Sequence, residues 1–158
     1  MTYDNFTIKA QESIVRAQQI AGGMEQQNVD TPHLLKGILE IDENVSEFLL
    51  KKVGIVIPTL KDKLDETIAT YPKVSGTDKQ YLTNDANKSL AAAKKMLAEF
   101  GDEFISIELI LLGILKGNDR GARILKELGA TEKDLKAAIQ ELRKGRTVDT
   151  QSAEDSYN

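Results

Sequence analysis

Few side chains in this sequence are of the types that carry out covalent or metal chemistry. The 158-residue chain contains no cysteine, and His33 is its only histidine. Thiol catalysis, thiolate metal sites and disulfide scaffolds are therefore excluded, and a histidine-based metal site or catalytic triad would have to use His33. Nothing near His33 in the sequence completes such a site, so we interpret it as a surface or half-buried helix residue.

Nucleotide chemistry is also unsupported by the sequence. The chain contains no Gly-x-x-x-x-Gly-Lys-Ser/Thr loop, which is the usual cradle for nucleotide phosphates. Carboxylates are numerous, but most of them follow the faces of predicted helices as solvated charge. We therefore predict that this chain is not an enzyme and that it holds no cofactor, no metal and no catalytic residue.

The charge of the chain restricts its partners. Its formal net charge is −4 and its isoelectric point is about 5.1, whereas proteins that bind nucleic acids or anionic membranes need a surplus of lysine and arginine. The N-terminus has no signal-peptide pattern, and no apolar run reaches the ~20 residues of a membrane span. We expect a cytoplasmic domain that binds neither nucleic acid nor membrane.

The most apolar stretch is GDEFISIELILLGIL, residues 101–115, which also carries the acids Asp102 and Glu108. If residues 106–116 form a helix, five large side chains form a stripe ~140° wide, and Leu109 and Leu112 lie outside it. Two explanations are open for these leucines. The other half of the domain covers them as core, or they line a shallow apolar groove, rimmed by the two acids, that binds an extended peptide.

A tandem repeat of roughly 75 residues organises the chain. Apolar residues recur at helical spacing in the first half, and each has an apolar counterpart 76 residues further on. The five pairs are Ala10 and Ala86, Ile14 and Leu90, Ala17 and Ala93, Ala21 and Leu97, and Met24 and Phe100. Thr7 and Thr83 occupy matching positions where an N-cap hydroxyl is expected.

Helix start and stop signals divide each half into four helices. They span about 6–26, 31–41, 44–53 and 58–69 in the first repeat, and about 83–100, 106–116, 119–128 and 132–144 in the second. We predict one all-α domain, residues 1–144, built as a pseudo-twofold tandem repeat of two four-helix units at about 6–69 and 82–144. The polar tail, residues 145–158, is predicted to be a flexible linker.

The paired segments VDTPHLLKGIL and FISIELILLGIL each follow a long predicted helix with a threonine near its start. In this order and spacing they resemble the duplicated N-terminal domain of Clp-type AAA+ unfoldases, over about residues 1–144. GDEFISIEL and the tail LRKGRTVDTQSAED are similar to the ClpB, or disaggregase, branch. The protease-coupled ClpC branch usually carries Thr-Glu-His in both repeats, whereas this chain has Thr31-Pro32-His33 in the first.

This resemblance implies a substrate-recognition domain that binds unfolded or aggregated polypeptide through a shallow apolar groove. It also implies a homohexameric full-length protein in which ATP and Mg²⁺ belong to ATPase modules absent from this chain, with residues 145–158 leading towards them. The isolated domain is expected to be a monomer. The peptide-binding residues selected through the resemblance are Thr7, Leu90, Asp102, Glu108 and Leu109, with Leu112 added from its position outside the apolar stripe.

Two other functions stay open at this point. The chain is an adaptor-docking domain that binds one folded partner, as in the protease-coupled Clp unfoldases, or it is a structural cap over the ring that regulates the ATPase. A single tight partner, with indifference to denatured proteins, favours adaptor docking. An effect of deletion on ATPase activity, without any binding by the isolated domain, favours the cap. Thr7 also has a purely structural interpretation as a helix cap.

Overall fold

The computed structural model describes residues 3–76 and 78–157, and within them α-helices dominate. The first repeat contributes α1 (Ile8–Gly23), α2 (Thr31–Ile41), α3 (Glu43–Lys52) and α4 (Ile57–Ala69). The second contributes α5 (Asn84–Lys95), α6 (Leu97–Phe100), α7 (Ile107–Leu115), α8 (Arg120–Glu127) and α9 (Glu132–Arg143). The all-α prediction is confirmed. None of these described helices is both long enough and apolar enough to cross a membrane.

The long first helix of each repeat begins at a capping threonine. The hydroxyls of Thr7 and Thr83 each accept a hydrogen bond of 3.1 Å, from the backbone N–H groups of Ala10 and Ala86. These bonds satisfy N–H donors that have no partner within the first helical turn. The two predicted N-caps are therefore confirmed, and they place α1 and α5 at matching positions of the repeats.

The predicted helix over 83–100 is interrupted at Met96. The N–H of Met96 bonds to the carbonyl of Ala93, three residues earlier, where a continuous α-helix would use the carbonyl four residues earlier. The structure therefore has two helices here, α5 and the short α6. Gly101 then ends α6 in the left-handed conformation, with φ of 69°.

A close approach between two helices recurs in both repeats. In the first repeat α1 packs on α2 at Gly37, where a Cβ atom would lie 2.5 Å from the carbonyl oxygen of Ser13. In the second repeat α5 packs on α7 at Gly113, where a Cβ atom would approach the carbonyl oxygen of Ser89 equally closely. Only glycine allows two helix backbones to pack at this distance. Both pairs keep the 76-residue offset, in agreement with the predicted tandem repeat.

Short parallel pairings connect the two repeats. Strand β1 (Asn28–Val29) pairs with β2 (Tyr81–Leu82), and the N–H of Thr83 donates to the carbonyl of Val29 at 3.0 Å. The matching bond runs from the N–H of Thr7 to the carbonyl of Ile105, at 2.9 Å. The start of each repeat's long helix is therefore attached to the other repeat. Because these two attachments match each other, the repeats are arranged with pseudo-twofold symmetry.

The tail is folded onto the domain, and the prediction that residues 145–158 are a flexible linker is wrong for the part that the structure describes. Val148 is buried, its N–H donates to Asp102 Oδ1 at 2.9 Å, and its carbonyl accepts from the N–H of Glu103. Residues Ala153–Ser156 form a 3₁₀ turn in which Ala153 and Glu154 are buried. The folded unit therefore extends beyond residue 144, to residue 157, because two small apolar side chains and one acid find partners there.

Candidate functional site

The leucines selected as groove residues are sealed inside the domain. Leu109 and Leu112 have no exposed surface, and only 1% of Leu90 is exposed, so the predicted apolar groove lined by these side chains is contradicted. All residues of α7, from Ile107 to Leu115, are buried, because α7 packs against helices of both repeats. A helix that is apolar all round belongs to a protein interior. Of the two explanations for these leucines, cover by the rest of the domain is confirmed.

The polar residues selected with them are brought together, but they are buried as well. Asp102 accepts two hydrogen bonds from the guanidinium of Arg143, at 3.0 and 2.9 Å, and Glu108 accepts one at 3.1 Å. The same guanidinium contacts the hydroxyl of Ser106, the N-cap of α7, at 3.3 Å. Asp102 and Glu108 therefore form a buried ionic network, and the prediction that they rim an open groove is wrong.

Thr7 joins this network through the tail. Its hydroxyl donates to Glu154 Oε2 at 2.5 Å, and the same carboxylate oxygen accepts the N–H of Ile107 at 3.1 Å. Thr7 and Glu154 are 147 residues apart in the sequence, and both are buried. Thr7 therefore has two structural roles, as the N-cap of α1 and as a partner of the tail.

The sequence analysis missed two members of the network, Arg143 and Glu154. A signal for Arg143 exists in the sequence, since it follows the buried Leu135 and Ile139 at four-residue intervals on the inner face of α9. A cation at a core position requires acids nearby, and Asp102 and Glu108 were already conspicuous. No local signal identifies Glu154, because the tail lacks the periodicity from which burial is inferred.

The charges of this network are unequally compensated. Arg143 uses its donors on Asp102, Glu108 and Ser106, so Glu154 receives no hydrogen bond from a cation among the described residues. Burial, and secondly the charge of Glu108, raise the pKa of Glu154 to about 7. One carboxylate oxygen of Glu154 is buried without a hydrogen-bond partner among the described residues, whereas the buried hydroxyl of Tyr157 lies beside the carboxylate of Glu108. An unpaired oxygen of this kind destabilises the arrangement that buries it.

The first repeat makes the corresponding threonine–carboxylate contact with an acid that lies within the repeat. Thr83, the counterpart of Thr7, donates its hydroxyl to Asp30 Oδ1 at 2.7 Å. The residue 76 positions after Asp30 is Ser106, which has no carboxylate. In the second repeat Glu154 of the tail supplies the acid that accepts the threonine hydroxyl. The pseudo-symmetry is therefore completed by a segment from outside the repeat.

His33 lies in the core of the first repeat, and the interpretation of it as a surface or half-buried residue is wrong. Its Nδ1 accepts the N–H of Asp30 at 3.0 Å, so its Nε2 carries the proton and donates to Gln26 Oε1 at 2.8 Å. The ring stacks on Tyr71 with centroids 5.1 Å apart. Burial lowers the pKa of His33 to about 4, despite the opposing charge of Asp30. His33 is therefore a neutral, hydrogen-bonded core residue.

One group of acids has the spacing of metal ligands. Oxygen atoms of Asp30, Asp85 and Asp119 lie within 4.8 Å of one another. Both oxygens of Asp30 already accept hydroxyl hydrogen bonds, from Thr83 and Tyr71, and Asp119 accepts another. Hydrogen bonds within the protein account for the positions of the Asp30 and Asp119 carboxylates, whereas Asp85 is exposed.

Comparisons with known proteins agree with this architecture. The family model of the Clp repeat (R) N-terminal domain matches residues 5–128. The chain is 41% identical over 157 residues to chaperone protein ClpB of Bacteroides thetaiotaomicron, which covers 99% of this chain and 18% of that protein. It is 38% identical over 158 residues to chaperone protein ClpB of Porphyromonas gingivalis, which covers 100% of this chain and 18% of that protein. The chain thus spans about a fifth of the length of these relatives.

Solved structures show the same fold. The N-terminal domain of Hsp104 from Candida albicans superposes with a TM-score of 0.81 at 20% identity, covering 95% of this chain and 99% of that one. The N-terminal domain of the chaperone ClpD from Arabidopsis thaliana gives a TM-score of 0.68 at 26% identity, covering 92% of this chain and 98% of that one. With the family model matching most of the sequence and the fold shared, the chain belongs to the Clp repeat (R) N-terminal domain family.

Proposed function

We propose that this chain is the N-terminal polypeptide-recognition domain of a ClpB-type protein disaggregase, which binds unfolded or aggregated polypeptide without catalysing a reaction itself. The observation that carries this proposal is the 41% identity, over 99% of the chain, to a protein named chaperone protein ClpB. In this proposal ATP and Mg²⁺ are used by modules outside the chain. The full-length protein is a cytoplasmic homohexamer, and the isolated domain is a monomer.

Since the leucines of α7 are sealed, an accessible surface has to contact the polypeptide. The α5–α7 groove, a depression of about 610 Å³, runs along the outer side of α5 and the segment 113–119 at the C-terminal end of α7. Its apolar lining residues are Ala91, Ala92, Met96 and Gly113, and its charged ones include Lys88, Lys95, Glu99 and Lys116. A volume of this size is within the range of ligand-binding clefts, ~300–1,000 Å³.

The chemistry of this groove suits an extended chain better than a small ligand. Ala91 and Ala92 offer apolar contact, since Met96 and Gly113 are themselves buried. The charged residues can pair with acidic or basic groups beside them. The groove is shallow and a disordered partner loses entropy on binding, so we expect weak affinity. Weak, sequence-tolerant binding is compatible with a domain that meets many unfolded proteins.

The residues selected from the sequence retain a proposed role in polypeptide binding. Leu90, Leu109 and Leu112 lie on α5 and α7, the two helices that form the groove. Because these leucines are buried, as are Thr7, Asp102 and Glu108, their direct contact with a polypeptide requires the domain to open. In the closed structure they act by holding the helices in place.

A titration of the isotope-labelled chain with a permanently unfolded protein tests this proposal. The probe is reduced α-lactalbumin with its thiols capped by iodoacetamide, and we expect amide shifts concentrated along the α5–α7 groove. Ala91→Glu places a charge in the groove and is expected to weaken binding about tenfold, or ~1.4 kcal/mol. Ala98→Glu is the matched control, because Ala98 is also an exposed alanine but lies outside the groove lining. Equal affinity of both variants would exclude the groove.

A second candidate function is adaptor docking, as in a protease-coupled Clp unfoldase. It is favoured by an apolar patch on the opposite repeat, where Ile8 and Val15 of α1 are 51% and 49% exposed. Their spacing of seven residues places them on one helix face, beside a depression that includes Ile41. Val15→Glu should abolish binding of a folded partner at this patch while leaving binding of unfolded α-lactalbumin unchanged. The opposite result would favour polypeptide recognition through α1.

A further inference from the structure

Within the described part of the tail, residues 146–157 place one acidic side chain in a site that the rest of the domain forms. Glu154 Oε2 accepts two hydrogen bonds, from the hydroxyl of Thr7 at 2.5 Å and from the N–H of Ile107 at 3.1 Å. We call these two donors the Glu154 site. We propose that the Glu154 site is an exchangeable binding site for an acidic side chain on a short polypeptide segment, which the tail presents from the 3₁₀ turn Ala153–Ser156. In this structure the chain's own tail fills it, and release of the tail opens it to a second segment of the same kind.

The first evidence is the asymmetry between the repeats. Thr83 finds its acid within the repeats, in Asp30, which lies directly before α2. Thr7 occupies the matching position, but the residue that matches Asp30 is Ser106. A threonine hydroxyl and the free N–H at the start of α7 therefore lack an acceptor until another segment delivers one. The partial positive charge of a helix N-terminus favours an acidic side chain there.

The second evidence is that the tail is held weakly. Its buried apolar side chains in the described part are Val148 and Ala153, and Tyr157 is partly buried against the core. Its other attachments are single hydrogen bonds, such as the N–H of Ile8 to the carbonyl of Gln151 at 2.8 Å, and an exposed ion pair between Lys9 and Asp155 at 3.7 Å. A segment with so few apolar contacts opens more readily than the helices beneath it.

The third evidence is the incomplete pairing of the acid itself. The guanidinium of Arg143 is occupied by Asp102, Glu108 and Ser106, so it does not neutralise Glu154. Glu154 Oε1 is buried without a hydrogen-bond partner among the described residues. Release of the tail returns the Glu154 oxygen to water. This desolvation cost offsets part of the stabilisation from the two hydrogen bonds that Glu154 Oε2 accepts.

The experiment uses the full chain and a peptide with the sequence of residues 146–157 as the probe. In Glu154→Ala we expect hydrogen exchange at the amides of Val148, Ile8 and Ile107 to accelerate at least about tenfold, with Leu111 unchanged as a core reference. The peptide should then bind this variant and shift the Ile107 resonance, while binding the wild type at least about tenfold more weakly, because the native site is filled. Asp149→Ala, which changes an exposed acid of the same segment that forms no hydrogen bond or ion pair with the described residues through its side chain, should behave as the wild type.

Four outcomes would overturn the proposal. They are unchanged exchange in Glu154→Ala, a released tail without peptide binding at Ile107, equal binding of a peptide that carries alanine at position 154, or release of the tail by Asp149→Ala as well. If Glu154→Ala also loses protection at Leu111, the wild type with excess peptide replaces it. The peptide must then displace the tail, so that the resonance of Val148 moves to its disordered position. Failure of this displacement rejects an exchangeable site.

Discussion

Arg143 and Asp102 form a two-point ion pair inside the domain, with Nη1–Oδ1 and Nη2–Oδ2 distances of 3.0 and 2.9 Å. Both side chains are almost completely inaccessible to solvent. The pair joins the end of α9 to the segment between α6 and α7, and Glu108 adds a third hydrogen bond from α7 itself. A single guanidinium therefore connects the last helix to the two segments that bear the acids selected from the sequence.

Removal of this cation should destabilise the whole domain. Arg143→Met keeps an unbranched side chain of similar length but leaves Asp102 and Glu108 buried without their counter-charge. Breaking a buried ion pair from one side costs about 3–5 kcal/mol. Urea unfolding at pH 7 measures the change. Arg123→Met is the control, because Arg123 is exposed on α8 and its replacement should alter the free energy of unfolding by less than about 0.5 kcal/mol.

The glycine at the α1–α2 contact should not tolerate a methyl group. Gly37→Ala places a Cβ atom 2.5 Å from the carbonyl oxygen of Ser13, so the two helices must separate. We expect a loss of about 1–3 kcal/mol, although alanine favours a helix by about 1 kcal/mol. Gly23→Ala in α1 is the matched control, since no atom lies within 4 Å of its added Cβ. If thermal unfolding shows both variants equally stable, the close approach is incorrect.

His33 should make the domain sensitive to acid. Its pKa is about 4 in the folded domain, where burial disfavours the charged ring, and 6.5 in the unfolded chain. A lowered pKa means that the contribution to stability is present above pH 6.5 and is lost as the pH falls through 4. The difference in unfolding free energy between wild type and His33→Gln should therefore grow between pH 4 and 6.5, by on the order of 3 kcal/mol, and be constant above. A difference that does not change with pH would contradict this.

Glu154 should have the opposite pH dependence. Its pKa is raised to about 7 in the folded domain by burial and by Glu108, against 4.5 in the unfolded chain. Its contribution is therefore fully present below pH 4.5 and is lost as the pH rises through 7. The other charged or titratable groups around it include Arg143 of α9, Lys9 of α1, Asp42 before α3, and Asp155 and Tyr157 of the tail.

The variant Glu154→Gln tests this dependence without removing the acceptor of the two hydrogen bonds. An amide stays neutral, and its donor replaces an oxygen that has no partner. We expect the variant to exceed the wild type in unfolding free energy by about 1–3 kcal/mol at pH 8, with the gap closing towards pH 4.5. Urea titrations at several pH values measure the gap. A constant gap would show that the carboxyl group does not titrate in the folded domain.

The sequence by itself determined the local structure and the duplication. Capping threonines, glycines at helix ends and apolar spacing act within one or two helical turns, so they can be interpreted without knowledge of the fold. For that reason the 76-residue offset between the repeats appears both in the sequence and in the matched contacts at Gly37 and Gly113. The same offset also matched Thr7 with Thr83, whose capping roles the structure confirms.

Only the tertiary structure decided which surfaces are open. Leu109 and Leu112 lie outside the apolar stripe that one helix face would bury. They are nevertheless covered, because α7 lies between helices of both repeats. No local sequence pattern shows how many neighbours a helix has. The polar network depends on residues as far apart as Thr7 and Glu154, which meet only because the tail returns to the first helix. Hydrogen bonds between such distant residues leave no periodic trace in a sequence, since periodicity records the geometry of one element and not its partners.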